Sequence, residues 1–383
     1  MNKINTVILV LSLLLTSGCS WFEDDEEATF QPAPLPDLKK QFSVSPRWSV
    51  QVGDGVGEFY NKLAPVVYNG RVYAADSQGL IKAFDISNGK EIWSTNVGSE
   101  IFGGVAAGSG LVAVGSTEAE VIVLDAVTGV EKWRNLVSSE IVAAPAISEG
   151  KVLSRTTDGK LFAMDAVTGE RVWLYDRTVP SLTLRGTSSI SVGRGAAVTG
   201  FANGKVALFL LETGQAVWEK RVATASGRSE LDRVVDADAT PVIMGEMVYA
   251  VTFKGNIAAF NMRDGQVAWQ RELSSYQNMS ISGQLISVTD ARSNVKVLDR
   301  RTGATIWTQD LLVDRRLTAT VAFGDYLVAG DYEGYLHWFD RNEGRLVSRN
   351  SIGGGGIVAD PVVDGDNLYV YARNGRLYSF GKP

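Results

Sequence analysis

A nine-residue phrase, Asp-x-x-x-Gly-x-x-x-Trp, recurs along the chain and limits its possible folds more than any other feature of the sequence. Successive central glycines are 38 to 51 residues apart, and an eighth, partial copy runs out at the C-terminus. In-phase repetition at this period is typical of solenoids, propellers and arrays rather than of unrelated domains. The copies are Asp85, Gly89, Trp93; Asp125, Gly129, Trp133; Asp165, Gly169, Trp173; Leu210, Gly214, Trp218; Asn261, Gly265, Trp269; Asp299, Gly303, Trp307; and Asp340, Gly344, Ser348.

Each copy carries the signals of four short strands. Pairs such as Asn69-Gly70 between apolar runs indicate hairpins, because glycine adopts positive φ at low cost. The third strand ends at the Asp of the phrase, and the fourth carries the Trp, which we expect to pack between repeat units. The runs predicted as second strands are Arg71–Ala75, Leu111–Gly115, Lys151–Arg155, Ala196–Gly200, Met247–Val251, Gln284–Val288, Tyr326–Gly330 and Asn367–Tyr371. Eight such units predict an all-β fold, an eight-bladed β-propeller with four antiparallel strands per blade.

The two ends of the chain complement each other. The last copy lacks a fourth strand, whereas Trp48-Ser-Val-Gln-Val-Gly53 repeats almost every residue of Trp93-Ser-Thr-Asn-Val-Gly98. We therefore expect an N-terminal strand to complete the last blade, which closes the ring and removes the exposed edges of an open one. One propeller domain is predicted over residues 42–383.

The N-terminus resembles a bacterial lipoprotein leader. Lys3 precedes an apolar run of ten residues, too short for a membrane span and typical of a signal peptide, here residues 1–18. Small residues lead into Cys19, the only cysteine, as in a lipobox, and the absence of Asp after it implies outer-membrane sorting. An ordinary cleavage site beside a free thiol is the alternative. Residues 19–41, with five consecutive acids and spaced prolines, are predicted to form a tether.

The composition argues against several classes of function. A net charge of −6 disfavours nucleic-acid binding. With one His and one Cys, a metal site built from several such residues is excluded, and His337 is predicted to be a structural or surface residue. Gly353–Gly356 lacks the helix and Lys-Ser/Thr of a phosphate-binding loop, so crowding explains it better. We expect no catalytic residue, metal, cofactor or small-molecule substrate.

The copies differ most in the segments between one blade and the next. The stretches 174–188 and 219–239 are long, and strand alternation puts them side by side on one face. The residues that could contact a protein partner are Leu182, Leu184, Arg185, Asp236 and Asp238, with Arg228 and Arg233 as further candidates. Apolar anchors beside arginine and carboxylates are typical of binding hot spots. In the alternative, both leucines fold down over the ring and Arg185 pairs with one of the aspartates.

The repeat resembles the tryptophan-docking repeat of quinoprotein propellers. Together with the lipobox and acidic tether, the whole chain resembles the propeller lipoproteins of the outer-membrane β-barrel assembly machinery. That resemblance implies a non-enzymatic, lipid-anchored scaffold on the periplasmic face of the outer membrane. It also implies that the Leu-x-Leu-Arg and Asp-x-Asp motifs, Leu182 to Arg185 and Asp236 to Asp238, contact the periplasmic domains of the barrel-inserting subunit. Two alternatives stay open: capture of unfolded outer-membrane proteins by strand addition, and a quinone-dependent dehydrogenase.

Overall fold

The computed structural model describes residues 32–57, 62–176, 188–223 and 235–383. These residues form eight four-stranded antiparallel sheets, as the repeat predicts. The innermost strands of most successive blades lie side by side, and that of the last blade adjoins that of the first. The predicted eight-bladed propeller is therefore confirmed. Within the described ranges, no helix has the length and apolar character needed to cross a membrane.

Blades 1 to 7 are each built from four consecutive strands, numbered in chain order from the inside of the ring outward. They are β2 to β5 (Val66–Tyr68, Arg71–Ala75, Leu80–Asp85, Glu91–Asn96), β6 to β9 (Ala106–Gly108, Leu111–Gly115, Glu120–Asp125, Glu131–Leu136), β10 to β13 (Ala146–Ser148, Lys151–Arg155, Leu161–Asp165, Arg171–Tyr175), β14 to β17 (Ser191–Gly193, Ala196–Phe201, Lys205–Leu210, Ala216–Arg221), β18 to β21 (Val242–Met244, Met247–Val251, Asn256–Asn261, Val267–Glu272), β22 to β25 (Met279–Ser282, Leu285–Thr289, Val295–Asp299, Thr305–Gln309) and β26 to β29 (Val321–Phe323, Tyr326–Gly330, Tyr335–Asp340, Leu346–Ser351).

Blade 8 joins the two ends of the chain. Its inner strands are β30 (Val362–Asp364), β31 (Asn367–Tyr371) and β32 (Arg376–Gly381), and its outermost strand is β1 (Pro46–Gln51). β1 runs antiparallel to β32, with Gln51 opposite Arg376. This register confirms that the N-terminal strand closes the ring.

The tryptophan of each repeat docks onto the following blade. In the first pair, a Cβ added to Gly89 would lie 2.7 Å from Cε3 of Trp48, so only glycine lets the indole lie flat there. The indole N–H of Trp48 also donates to the carbonyl of Ile86, at 3.2 Å. Six further indoles donate to carbonyls in the same way: Trp93 to Ala126, Trp133 to Ala166, Trp173 to Leu211, Trp218 to Met262, Trp269 to Arg300 and Trp307 to Arg341. The predicted packing role of this series is thus observed at every seam that has a tryptophan.

Blade 7 has Ser348 at the position of the repeat tryptophan, and residues near the N-terminus occupy the place of the indole. Blade 8 has no turn between its third and fourth strands, because those strands belong to opposite ends of the chain, so no glycine could receive an indole there. Instead the hydroxyl of Ser348 donates to the carbonyl of Phe42 at 2.6 Å. The Phe42 ring packs against Tyr326 and Trp338, with centroids 4.9 and 5.6 Å apart. The departure from the repeat at Ser348 is therefore a consequence of ring closure.

Residues 32–44, which we call the strap, run from the connection between blades 6 and 7 to the seam between blades 7 and 8. The backbone N–H of Ala33 donates to the carbonyl of Val313 at 3.0 Å, and Arg315 donates to the carbonyl of Ala33 at 3.0 Å. Lower down, Arg349 reaches the carbonyl of Pro36 at 3.3 Å. Part of the stretch that the sequence assigns to the tether, residues 32–41, thus contacts the propeller.

His337 is a buried structural residue beneath the strap. Its Nε2 lies 2.9 Å from Oδ2 of Asp331, the same oxygen that accepts from Arg315 at 2.8 Å. Burial lowers the pKa of His337 despite the opposing effect of Asp331, so the ring is neutral near pH 7. The histidine holds a core network together.

Candidate protein-docking site

All inter-blade connections emerge on one face of the ring, here called the upper face. In blade 6 the last residue of the fourth strand, Gln309, pairs with the first residue of the third, Val295. The connection that follows therefore meets the turn between the second and third strands, where Asp314 donates its backbone N–H to Arg292 at 2.8 Å. The opposite, lower face carries the Asp-to-Gly turns of the repeat.

Two neighbouring connections are longer than the rest. Residues 176–190 join blades 3 and 4, and residues 222–241 join blades 4 and 5. Their C-terminal ends touch: the Ser188 hydroxyl donates to the carbonyl of Ala239 at 3.3 Å, and the Ser189 N–H donates to Oγ1 of Thr240 at 3.2 Å. The described ends of the two connections therefore lie side by side where they enter blades 4 and 5.

Most of the sequence-predicted contact residues fall within parts of the chain that the structure does not cover. Asp236 and Asp238 are the described members of the set. The predicted residues outside the described ranges are Cys19, Leu182, Leu184, Arg185, Arg228 and Arg233. The structure therefore describes the part of the candidate site where Asp236 and Asp238 lie, close to the start of blade 5, and not the remaining predicted contact residues.

Asp236 and Asp238 are buried under the upper face. Their exposed fractions are 1% and 8%. Neither carboxylate oxygen of Asp236 has a hydrogen-bond partner within the described chain. Burial and the charge of Asp238 raise the pKa of Asp236 to about 7, against the attraction of Arg155. Both side chains, which the sequence pattern placed among the contact residues, are therefore buried in the structure.

Arg155, which the sequence analysis did not select, is the cation that faces this pair. It ends the second strand of blade 3, is 7% exposed, and donates to the carbonyl of Ser188 at 3.4 Å. Its guanidinium lies 5.7 Å from the ring centroid of Phe201 in blade 4. The sequence does distinguish Arg155 from its equivalents in the other blades. The residues at the corresponding position of the second strand are small, apolar or neutral: Ala75, Gly115, Gly200, Val251, Thr289, Gly330 and Tyr371.

Side chains from distant blades bridge the mouth of the central channel on the upper face. Lys62, which leads into blade 1, donates to the side-chain oxygen of Gln277 at 2.9 Å in the segment leading into blade 6. Asn278 beside it donates to Asp360 at 2.7 Å in the segment leading into blade 8. Both contacts skip at least one blade, so they cross the opening.

In the described ranges no group of three or more His, Cys, Asp or Glu side chains could hold a metal ion. The run Gly353–Gly356 is explained by close packing at two of its positions. A Cβ on Gly354 would lie 2.8 Å from that of Ala372, and one on Gly356 would lie 2.4 Å from the carbonyl of Tyr332.

The outermost strands form the rim of the ring and expose apolar side chains next to the docked tryptophans. Val172 on β13 is 48% exposed, and Val217 on β17 is 42% exposed. Ile92 and Ile306 occupy the same position in blades 1 and 6. Such edges offer unpaired backbone groups beside apolar side chains, the combination that strand addition uses.

Comparison with known proteins places these features in a family. A family profile described as outer membrane protein assembly factor BamB matches residues 77–309 and 291–382. The protein of that name from Escherichia coli K12 is 40% identical over 380 residues, covering 97% of both chains. Those from Kangiella koreensis and Pseudomonas aeruginosa are 46% and 44% identical, and each alignment covers at least 97% of both chains.

Solved structures show the same architecture. The crystal structure of BamB from Moraxella catarrhalis matches with a TM-score of 0.81 and 26% identity, covering 89% of this chain and 100% of that one. Quinohemoprotein alcohol dehydrogenase from Comamonas testosteroni matches with a TM-score of 0.70 at 16% identity, covering 90% of this chain and 79% of that one. The second likeness is one of fold alone.

Proposed function

This chain belongs to the family of the outer membrane protein assembly factor BamB, and from that premise we propose that it is a non-enzymatic scaffold in the assembly and insertion of β-barrel outer-membrane proteins. The observation that carries the proposal is 40 to 46% identity with these assembly factors over nearly the whole chain. The repeat explains only the ring, which dehydrogenases share. The alignments also cover the segments between blades, where members of one fold differ by function.

The proposed docking site consists of the two long connections on the upper face. Their ends adjoin at Ser188 and Ala239, so residues from both can form one continuous surface. In this proposal Leu182 and Leu184 supply apolar contact and Arg185 supplies directional hydrogen bonds, with Arg228 and Arg233 at the margin. The partner is a periplasmic domain of the barrel-inserting subunit.

The bridged channel mouth supports a scaffold rather than an enzyme. A dehydrogenase needs substrate access to a buried centre, whereas Lys62 and Asn278 carry hydrogen bonds across the opening. The Asp residues of the repeat are also occupied structurally. Asp125, for example, accepts the backbone N–H groups of Val127 and Thr128, each at 3.0 Å. Such side chains cap turns, which is a structural role.

The proposal includes a lipid anchor at Cys19 on the periplasmic face of the outer membrane. Its support is the sequence, in which a lone cysteine follows an apolar run and small residues. The relatives' description as outer membrane assembly factors agrees with this placement. A diacylated cysteine would hold the scaffold at the membrane where barrels are inserted.

The docking proposal is tested by charge substitutions on the upper face. Leu184→Asp and Arg185→Glu should each weaken binding of the purified periplasmic domains at least tenfold, measured by calorimetry. Matched controls lie on the lower face: Val167→Asp, at a side chain 82% exposed, and Arg263→Glu. Both controls should bind like the parent protein. Unchanged affinity in both upper-face variants, with folding intact, would reject this docking site.

Strand addition of unfolded barrel segments to the rim is a second candidate function. The exposed apolar residues beside unpaired strand edges, such as Val172 and Val217, favour it. Hydrogen exchange with a bound barrel segment discriminates the two modes. New protection along β13 and β17 would support strand addition, whereas protection confined to the upper face would oppose it.

A further inference from the structure

The seam between blades 7 and 8 contains an apolar cleft, which we call the seam cleft. In every other seam the turn between the third and fourth strands of the following blade receives a tryptophan at this place, but blade 8 has no such turn. Residues 41–44 of the strap fill the cleft instead. Its lining residues are Tyr326, Trp338, Val347, Ser348 and Asn350.

The seam cleft binds the strap mainly through its main chain. Ser348 donates to the carbonyl of Phe42 at 2.6 Å, and Asn350 donates to the carbonyl of Val44 at 2.6 Å. The two carbonyls are two residues apart, which is the repeat of an extended strand. Contacts to carbonyl groups do not depend on the identity of the residue that carries them, so the cleft is suited to extended segments of different sequence.

The side chains of residues 41–44 alternate like those of a half-buried strand. Phe42 and Val44 pack against the apolar cluster of blades 7 and 8, whereas Gln41 and Ser43 are exposed. Strands of outer-membrane barrels show the same alternation, because every second side chain faces lipid. The occupant that the seam cleft fits is therefore an extended segment with an apolar side chain at every second position.

The strap covers a strand position that other blades leave open. Val347 on β29 is 2% exposed, and its carbonyl accepts from the backbone N–H of Gln41 at 2.9 Å. At the same position of the outermost strand, Val172 is 48% exposed and Val217 is 42% exposed. Departure of residues 41–44 would therefore give β29 an exposed apolar side chain and a free main-chain acceptor.

The strap also leaves polar groups around the seam cleft without partners. The amide oxygen of Asn350 and the indole N–H of Trp338 are buried and have no hydrogen-bond partner among the residues that the structure describes. The Trp338 ring packs against Phe42. A buried polar group without a partner is unfavourable, so a segment that donates to the Asn350 oxygen makes an interaction that the strap lacks.

We propose that the seam cleft is a binding site for extended segments of unfolded outer-membrane barrels, and that residues 41–44 are an autoinhibitory segment that keeps the site filled. This inference rests on the second candidate function, strand addition, and gives it a further site with its own cover. Residue 45 alone separates the strap from β1. The strap therefore competes at an effective concentration on the order of millimolar, and a segment from solution must displace it.

The first test compares forms of the full-length chain with one probe, a synthetic peptide of alternating valine and threonine that carries a photo-crosslinker. Phe42→Asp together with Val44→Asp, called the opened variant, puts charge into the cleft and should release the strap there. It should bind the probe at least tenfold more tightly than the parent protein, measured by fluorescence anisotropy. Gln41→Asp together with Ser43→Asp adds the same charge at the exposed neighbours and should bind like the parent.

The position of the crosslinks decides where the probe binds. In the opened variant they should fall on Tyr326 or Val347. Adding Asn350→Ala to the opened variant should lower the affinity at least threefold, because a donor to the peptide carbonyl is lost. Equal affinity in the parent, opened and control forms, or crosslinks confined to β13 and β17, would overturn the inference.

Two further measurements do not depend on the folding of the opened variant. Phe42→Ala should raise the affinity for the probe at least threefold, with the amide of Ala126 in blade 2 still protected from exchange. In the parent protein an excess of probe should accelerate exchange of the Gln41 amide at least tenfold, because probe and strap compete for the Val347 carbonyl. Parent-like affinity of Phe42→Ala and an unchanged Gln41 amide would show that the strap covers no peptide site.

An unfolded barrel protein separates failure of this inference from failure of the candidate function. Protection of β13 and β17 without probe binding at the cleft would overturn the inference and support strand addition at the open rim. Probe binding at the cleft, with no outermost strand protected by the barrel protein, would reject strand addition of barrel segments. Protection of β29 by the barrel protein in the opened variant, and not in the control, is the expected result.

Discussion

At the scale of single residues, the ring depends on a contact between a glycine and an indole. Gly129 has a φ of +73° and its missing Cβ leaves room for Trp93, whose Cδ2 would be only 2.6 Å away. Gly110 in the same blade has a similar φ of +78° but open space around it. The pair therefore separates the cost of backbone strain from the cost of a clash.

We predict that Gly129→Ala destabilises the protein more than Gly110→Ala. Strain alone should cost about 1–2 kcal/mol in both variants. The clash with a buried indole should add about 2 kcal/mol or more in Gly129→Ala. The measurement is the free energy of unfolding by urea titration. Equal losses in the two variants would mean that the indole moves aside without cost.

Individual residues also show where sequence reasoning reaches its limit. Asp125 accepts backbone N–H bonds in its turn, a role that an Asp at a hairpin turn indicates from sequence alone. The role of Arg155 was missed because its partners come from other blades, about 80 positions along the chain. A repeat reveals what the copies share, whereas a charge balance across three blades appears only once the ring has closed.

At the scale of elements, the repeated strands can be predicted from the sequence, whereas the course of the strap cannot. Six of the eight second strands have their predicted bounds, whereas β23 runs from Leu285 to Thr289, one residue later than predicted, and β15 ends one residue later, at Phe201. Alternating apolar residues bounded by glycine turns explain this accuracy. The strap lacks any such periodicity. The strap fills the space left where the repeat has Ser348 instead of a tryptophan. That space can be recognised only when both ends of the chain are known to lie in one blade.

We predict that Phe42→Ala weakens the packing between the strap and blade 7 and so lowers the stability of the protein. The ring packs against Tyr326 and Trp338, and removing a half-buried phenylalanine should cost about 2 kcal/mol. Gln41→Ala is the matched control, because its exposed side chain leaves the backbone bond from Gln41 to Val347 in place. Chemical denaturation measures both. A loss below about 0.5 kcal/mol for Phe42→Ala would contradict a packing role for the strap.

At the scale of the whole molecule, the first described strand both completes one blade and docks onto the next. β1 completes blade 8, and its Trp48 docks onto Gly89 of blade 1. Without it, β32 would become an open edge and the ring would lose the seam between its first and last blades.

We predict a stepwise loss of stability as the N-terminus is shortened. A chain that begins at residue 32 keeps every described contact and should unfold like the full-length protein. One that begins at residue 46 loses the strap and should melt several degrees lower, and one that begins at residue 54 should lose cooperative unfolding or aggregate. Thermal unfolding followed by circular dichroism measures all three. Cooperative melting of the shortest chain near the parent temperature would show that closure is dispensable.

The path of the strap also indicates which face of the ring lies nearer to the N-terminal end of the chain. Its bond from Ala33 to Val313 fixes the departing chain at the rim of the upper face, the face of the two long connections. With Cys19 as the lipidated residue, the 13 residues before Pro32 span at most about 45 Å. The lipid would then be joined to the scaffold by a short segment that starts at the upper face, the face of the proposed docking site. In the proposed arrangement the lipid anchor and the docked domain share the upper side of the ring, and the lower face is turned toward the periplasm.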